Sequence, residues 1–190
     1  MRKIISKEQS EKRKNRNQLI VGLILIGVML IGIFGYSFQG FLGGNSAEKI
    51  KYNGFEFTKQ NYFWVLESGN NNFIFKYNPE EVERVSGYVA PIGNYLNKPV
   101  YIFSENKEAE LEIYRNVNPF VQRVQEACLE GEKCDENLPI KTCKDSFIII
   151  KEGNFSSIIQ NENCVFIEGK QEDLVKLSDE FLFKIFGVEG

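Results

Sequence analysis

The stretch that organises this 190-residue chain is Leu19–Phe34, with the sequence LIVGLILIGVMLIGIF. The apolar character continues to Phe38, and no Asp, Glu, Lys or Arg occurs in residues 17–47. Twenty helical residues rise about 30 Å, the thickness of the hydrocarbon core of a bilayer. Because the stretch has no polar face to turn toward water, it predicts a transmembrane helix over residues 18–38 rather than a helix buried in a soluble core.

The charge of the chain divides at this apolar stretch. Residues 1–17 carry seven basic and two acidic side chains, a net charge of +5, whereas the rest of the chain carries −8. The positive-inside rule places the basic tail in the cytoplasm and the acidic part outside the membrane. We interpret the tail as a topology signal rather than a nucleic-acid-binding patch, and the acidic charge argues against nucleic acid as a partner. The expected partner of residues 18–38 is the lipid bilayer.

The apolar stretch is expected to be retained as a signal anchor, with a cleaved signal peptide as the alternative. A signal peptide has an apolar region of about 7–15 residues followed by an A-x-A-like site. Here the region is longer, and Asn45-Ser46-Ala47 fits such a site poorly. The expected organisation is a cytoplasmic tail over residues 1–17, an anchor over 18–38, a flexible neck over 39–47 and one extracytoplasmic domain over 48–190.

The patterns after the neck predict an α+β domain made of β-meanders with helices packed on one side. Aromatic and β-branched runs separated by Asn-Gly and Gly-Asn turns indicate the strands, and caps and three-and-four spacing indicate the helices. The predicted strands cover residues 55–58, 62–66, 72–77, 99–103, 147–151, 156–160 and 164–168. The predicted helices are a short one that begins at Asn78-Pro79-Glu80-Glu81, one over 107–129 that Pro119 kinks or splits, and one over 171–186.

Few residues carry recognisable chemistry. The chain has no histidine, which excludes Ser-His-Asp and Cys-His nucleophilic systems, and it has no nucleotide-binding or calcium-binding motif. The acidic groups Glu80/Glu81 and Glu108/Glu110/Glu112 are interpreted as solvated helix faces rather than catalytic pairs. Trp64 is expected in the core. We therefore expect no catalytic residue, no cofactor and no metal, and predict that the protein is not an enzyme.

Four cysteines stand at positions 128, 134, 143 and 164. They do not form pairs two to four residues apart, so two disulfides outside the membrane are expected, with a zinc site or free thiols as alternatives. Gly153-Asn154 predicts a two-residue hairpin turn, and in that register Cys143 faces Cys164 with the Cα atoms about 4.5 Å apart. That separation suits a disulfide and leaves Cys128 to pair with Cys134. A bulge at residues 161–163 would break this register.

Asn154-Phe155-Ser156 matches the acceptor sequence for N-glycosylation. Because Asn154 falls in a predicted exposed turn outside the membrane, it is a candidate glycosylation site.

Short segments of the chain resemble small single-pass membrane-anchored proteins of DPANN-type archaea. The segments are the basic tail and signal anchor followed by Lys51-Tyr52-Asn53-Gly54-Phe55-Glu56-Phe57, then Pro139-Ile140-Lys141-Thr142-Cys143, and Cys164-Val165-Phe166-Ile167-Glu168-Gly169 before a terminal helix. The likeness covers most of residues 18–187. It implies an archaeal cell-membrane setting and assigns no activity or site residue.

Two functions from different classes follow as hypotheses. The first is a non-enzymatic interaction module at the cell surface or envelope, which would expose an apolar or aromatic patch. The alternative is an extracytoplasmic domain that binds or senses a small ligand, which would enclose an apolar pocket with convergent polar groups.

Overall fold

A computed structural model describes residues 47–134 and 137–189, together with Ile20, Leu25 and Met29. Contacts divide the chain into two units, residues 1–46 and residues 47–190. The predicted tail and most of the predicted anchor and neck lie outside the described residues. Among the residues that are described, no helix has both the length and the apolar character that a membrane span requires.

The domain contains eleven strands and two α-helices within its described residues. The strands are β1 (Lys49–Tyr52), β2 (Phe55–Gln60), β3 (Phe63–Ser68), β4 (Asn71–Phe75), β5 (Pro99–Ser104), β6 (Arg123–Glu126), β7 (Cys128–Leu129), β8 (Ile140–Lys141), β9 (Ser146–Glu152), β10 (Ser157–Asn161) and β11 (Cys164–Gly169). The helices are α1 (Lys107–Val117) and α2 (Leu174–Ile185), and a 3-10 turn covers Ile92–Asn94. The prediction of a mixed α+β domain is confirmed at this level.

The first four strands form an antiparallel sheet in the order β1-β2-β3-β4, here called the meander. The three strands predicted in this region are present, and β1 is an additional strand that the sequence reading missed. The Asn53-Gly54 turn joins β1 to β2, and both residues have positive φ angles, 46° and 87°. Glycine and asparagine tolerate this conformation, so the turn chemistry sets the register of the first hairpin.

The prediction of a helix that begins at Asn78 is wrong. The side chain of Asn78 does cap the turn, because its Oδ1 accepts hydrogen bonds from the N–H groups of Glu80 (2.7 Å) and Glu81 (3.2 Å). Glu81 returns the interaction by accepting from the Asn78 N–H at 2.9 Å, which completes a capping box. Only one turn forms, and the chain runs on without helix or strand through residues 83–90. The cap depends only on residues 78–81. A longer helix would also depend on how the residues after Glu81 pack against the rest of the domain.

The other large sheet has the strand order β10-β11-β9-β5-β6 and is here called the mixed sheet. Strands β11, β9, β5 and β6 are parallel neighbours, and only β10 is antiparallel to its neighbour β11. The prediction of a second meander is therefore wrong. In particular, β9 and β10 do not form a hairpin at Gly153-Asn154, because β11 lies between them. The two-residue turn is instead Glu162-Asn163, where Glu162 has a φ of 52°.

Helix α1 ends at Val117, two residues before Pro119, so the predicted helix over 107–129 is only half present. The second half of the predicted helix instead turns and forms β6. This strand pairs with β5 in parallel, so β5, α1 and β6 make a strand–helix–strand unit. Because proline lacks an N–H and clashes with the preceding turn, a break at this point is the expected effect of Pro119. The C-terminal helix is present as predicted, although it begins at Leu174 rather than near Gln171.

The helices lie between the two sheets. Helix α2 contacts β11, β9 and β10 of the mixed sheet, and its Phe183 packs against Phe57 and Phe75 of the meander with ring centroids 5.8 and 4.7 Å apart. Helix α1 contacts α2, β5 and β4. As a result α2 is buried along almost its whole length, including its polar residues Ser178, Asp179 and Glu180.

The opposite face of the mixed sheet carries a smaller core. Tyr101, Phe147, Ile149 and Cys164 form its centre together with Ala127. Both disulfides lie at this face, because Cys143 packs against this cluster and Cys128 is buried beside Ala127 at the start of β7. The helices therefore cover one face of the mixed sheet and the disulfide-bonded loops cover the other.

Candidate functional site

The predicted disulfide content is present in the structure. Cys128 is bonded to Cys134 with a Cα–Cα distance of 5.8 Å, and Cys143 is bonded to Cys164 with a Cα–Cα distance of 4.9 Å. These are the two pairings expected from the sequence, but the hairpin used to derive them does not exist. Instead, Cys143 approaches Cys164 because β9 and β11 are parallel neighbours, and the Asn163 N–H donates to the Cys143 carbonyl at 3.2 Å.

The other residues singled out from the sequence lie in separate places. Asn154 is exposed in the connection between β9 and β10, so its role as a glycan acceptor stays a prediction. Trp64 is buried, as expected, and its Nε1–H donates to Glu81 at 3.1 Å. The interpretation of Glu112 as a solvated acid is wrong, because α1 turns this side chain into the core.

Three buried carboxyl groups hold the chain that leaves the meander. Glu112 of α1 accepts a hydrogen bond from the Lys76 N–H at 2.9 Å, and Asp179 of α2 accepts one from the Tyr77 N–H at 2.8 Å. Glu180 of α2 accepts one from the Val85 N–H at 3.2 Å. We call Glu112, Asp179 and Glu180 the acid clamp. Its hydrogen bonds connect the backbone of residues 76–85 to both helices.

Burial makes the ionised form costly at each carboxyl of the acid clamp. Burial raises the pKa of Asp179 well above its usual range, and the neighbouring Glu112 adds to the effect. Burial also raises the pKa of Glu112, although the Arg115 guanidinium acts in the opposite direction. Arg115 Nη1 lies 3.3 Å from Glu112 Oε2. Lys76 acts on the pKa of Glu112 in the same direction as Arg115 but more weakly.

Glu180 belongs to a second charged group near the end of α2. Burial raises the pKa of Glu180 to about 7, with Glu189 acting in the same direction and Lys184 against it. Lys184 Nζ lies 3.3 Å from Glu180 and 3.1 Å from Glu189, so it bridges the two acids. Arg84, which donates to the Tyr52 hydroxyl, lies 3.9 Å from Glu189 on the outer side.

Residues 83–90, here called the strap, run past the edge of the mixed sheet. The strap is fixed by the Val85 N–H at Glu180 and by the Ala90 N–H, which donates to Gln160 Oε1 at 2.6 Å. Gly87 has a φ of 139°, and a Cβ atom there would lie 2.8 Å from the Ile158 carbonyl oxygen of β10. Only glycine combines this backbone conformation with so close an approach.

Two of the hollows that border the strap lie next to each other and share Ser86. The first, here called the strap groove, has a volume of about 460 Å³, and the second, here called the charged hollow, has a volume of about 280 Å³. The strap groove is lined by Ser86, Gly87, Tyr88, Ile158, Ile159, Gln160 and Glu162. The charged hollow is lined by Tyr52, Asn53, Arg84, Val85, Ser86, Lys184 and Glu189.

The strap groove combines apolar side chains with backbone polar groups. Tyr88 is 78% exposed and Ile159 is 57% exposed. Since the pair Asn161–Cys164 flanks a two-residue turn, hydrogen-bonded pairs alternate from it, and Gln160 directs its N–H and C=O groups away from β11. Ile158 does the same but is only 1% exposed, and Gly87 of the strap lies against its carbonyl oxygen. The groove therefore offers two exposed apolar side chains and the backbone of Gln160 to another chain.

Tyr101 is a further side chain with unusual electrostatics. Its pKa is lowered by a hydrogen bond with Lys141 and by a second from Arg123, whose Nη2 lies 3.3 Å from the hydroxyl. Tyr101 is buried under these cations and lines neither the strap groove nor the charged hollow. Within the described residues, no group of three or more Cys, Asp or Glu side chains is placed to bind a metal ion.

The sequence did not lead us to predict the acid clamp, although the spacing of residues around Asp179 indicates that this residue is buried. Asp179 lies one turn from Val175 and one turn from Phe183, so apolar residues flank it on its own side of the helix. This spacing indicates that Asp179 is buried. Glu180 lies between Lys176 and Lys184 on another side, where the sequence gives no such indication.

Comparison with known proteins gives no match to this chain among family models, curated proteins or solved structures.

Proposed function

We propose that this protein is a membrane-anchored protein of the cell surface or envelope whose extracytoplasmic domain binds another protein and catalyses no reaction. The carrying observation is the strap groove, where Tyr88 and Ile159 expose apolar surface beside the edge strand β10. Exposed apolar groups grouped around an open groove are typical of protein-binding surfaces.

The charge split and the disulfides support the proposed location. The chain carries +5 before the apolar stretch and −8 after it. The three described residues of that stretch, Ile20, Leu25 and Met29, are helical and exposed, as residues that face lipid would be. Two disulfides suit an oxidising compartment outside the cytoplasm.

The topology can be tested with single cysteines, because the four native cysteines are all bonded. In intact cells, Ser6→Cys is expected to resist an impermeant thiol reagent, whereas Tyr62→Cys, at a position 89% exposed in the domain, is expected to react. Both should react after the membrane is permeabilised, and the protein should stay with membranes in alkaline carbonate. Labelling of Ser6→Cys in intact cells, or release by carbonate, would contradict the proposed anchor and orientation.

The interaction surface can be tested with a photo-crosslinking aromatic residue in place of Tyr88. We expect one adduct of constant mass when cells are irradiated, because Tyr88 borders the strap groove. The same residue in place of Tyr62 is the matched control, since Tyr62 is also an exposed tyrosine but lies in the β2–β3 turn. Equal adducts at both positions, or none at Tyr88, would count against a specific protein partner at the groove.

The charged hollow favours the alternative function. Arg84, Lys184 and Glu189 converge there with the hydroxyl of Tyr52, which suits a small charged ligand. If ligand sensing were the function, Arg84→Ala would abolish the response while crosslinking at Tyr88 would give no protein adduct.

A further inference from the structure

The acid clamp fixes the one piece of chain that joins the meander to the rest of the domain. Residues 76 and 77 follow β4, and their N–H groups donate to Glu112 and Asp179, which come from different helices. The Val85 N–H, eight residues later, donates to Glu180. Three carboxyl side chains therefore add to the attachment that Phe183 and the two hydrogen bonds between Asn116 and the Ile74 backbone already provide.

The hydrogen bonds around Asp179 indicate where a proton must be. Asp179 is fully buried, and its Oδ1 has no donor. Glu112 and Asp179 accept from the N–H groups of the adjacent residues Lys76 and Tyr77, and Glu112 raises the pKa of Asp179 through its charge and through a side-chain hydrogen bond. A carboxylate oxygen can only accept, so two ionised carboxylates would repel each other and leave this oxygen unpaired. A proton on Asp179 Oδ1 turns it into a donor to Glu112 and satisfies both groups.

We propose that Asp179 retains its proton at neutral pH and donates it to Glu112, so that the meander is held by a shared-proton carboxyl pair and is released when that proton is lost. Glu112 is the ionised partner, because Arg115 lies beside it and Lys76, which is paired with Glu108, faces it from the end of β4. On α2, Lys176 is directed at the ring of Tyr77, with Nζ 5.3 Å from the ring centroid.

Glu180, the other buried acid of α2, also makes the fold less stable as the pH rises. Glu180 faces Glu189 and Lys184, and the strap contributes the Val85 N–H and, through Glu189, Arg84. A carboxyl whose pKa is raised by folding stabilises the fold at low pH, and this stabilisation is lost as the pH rises through the folded-state value. For Glu180 the loss extends from about 4.5 to about 7. For Asp179 the direction is the same.

The full-length protein in detergent provides the test, since Trp64 is its only tryptophan and lies in the meander. We expect the Tm followed by Trp64 fluorescence to fall by about 5 °C or more between about pH 5 and pH 8. In Asp179→Asn the amide donates to Glu112 as the protonated acid does, so the fall should shrink to half or less. The protection factor of the Tyr77 amide, which is the intrinsic exchange rate at each pH divided by the observed rate, should fall with pH in the native protein and stay constant in this variant.

Two further variants keep the proposal falsifiable. Glu172→Gln removes an exposed acid just before α2 and should retain the native pH dependence. Glu180→Gln should remove only the share of Glu180, which ends at about pH 7, and keep the share of Asp179. A native Tm that is constant or rises with pH would overturn the proposal. The proposal would also be overturned if the Tm of Asp179→Asn fell with pH as steeply as the Tm of the native protein. An unfolded Asp179→Asn would also overturn it, because the amide reproduces the hydrogen bonds of the protonated acid.

Discussion

Phe183→Ala is expected to lower the free energy of unfolding by about 3–5 kcal/mol, the usual cost of removing a fully buried phenylalanine. Phe183 lies on α2 and contacts Phe57 edge to face and Phe75 in a tilted arrangement. The substitution leaves a cavity at the contact between the central helix and the meander. Denaturant unfolding of the full-length protein measures the loss.

Phe155→Ala is the matched control for Phe183→Ala. Phe155 is 85% exposed, so its truncation should change the free energy of unfolding by less than about 0.5 kcal/mol. Similar losses for the two variants would contradict the position of Phe183 in the core.

Removal of the Cys143–Cys164 disulfide has the second largest expected effect. The bond closes a loop with a sequence separation of 21, for which the chain-entropy model gives a stabilisation of about 3 kcal/mol. The double variant Cys143→Ala with Cys164→Ala should therefore unfold at a lower denaturant concentration. Cys164 is also fully buried, so its truncation adds to the loss rather than offsetting it.

The other disulfide supplies the comparison. The sequence separation of Cys128 and Cys134 is only 6, and the same model gives about 2 kcal/mol for so short a loop. We expect the paired alanine variant at these positions to lose less stability than the variant at Cys143 and Cys164. The reverse order would show that loop length does not govern the stability of this domain.

Local chemistry predicted those parts of the fold that depend on neighbours in the sequence. The Asn53-Gly54 turn, the break near Pro119 and the C-terminal helix each follow from residues within one or two turns of the feature. The order of β9, β10 and β11 does not, because the same three apolar strands can form a meander or place β11 in the middle. The cysteine pairing expected from the hairpin was therefore reached through a register that does not occur.

The candidate site was less predictable than the fold. Glu112 has the spacing of an acid on a solvated helix, and only the tertiary position of α1 turns it inward. The segment before the strap, residues 78–81, resembles the start of a helix. The course of the strap along β10 depends on the close approach of Gly87 to Ile158. Such contacts join residues far apart in the chain, and a single sequence does not indicate them.

The central position of α2 has a consequence for how the domain is made. Every strand of the meander and of the mixed sheet precedes Leu174–Ile185 in the chain, yet both sheets bury their apolar faces against this helix. During synthesis the strands therefore emerge before the helix that covers them, and their aromatic faces stay open to unwanted pairing until α2 has been made. The core between the two sheets can close only after synthesis has passed Ile185.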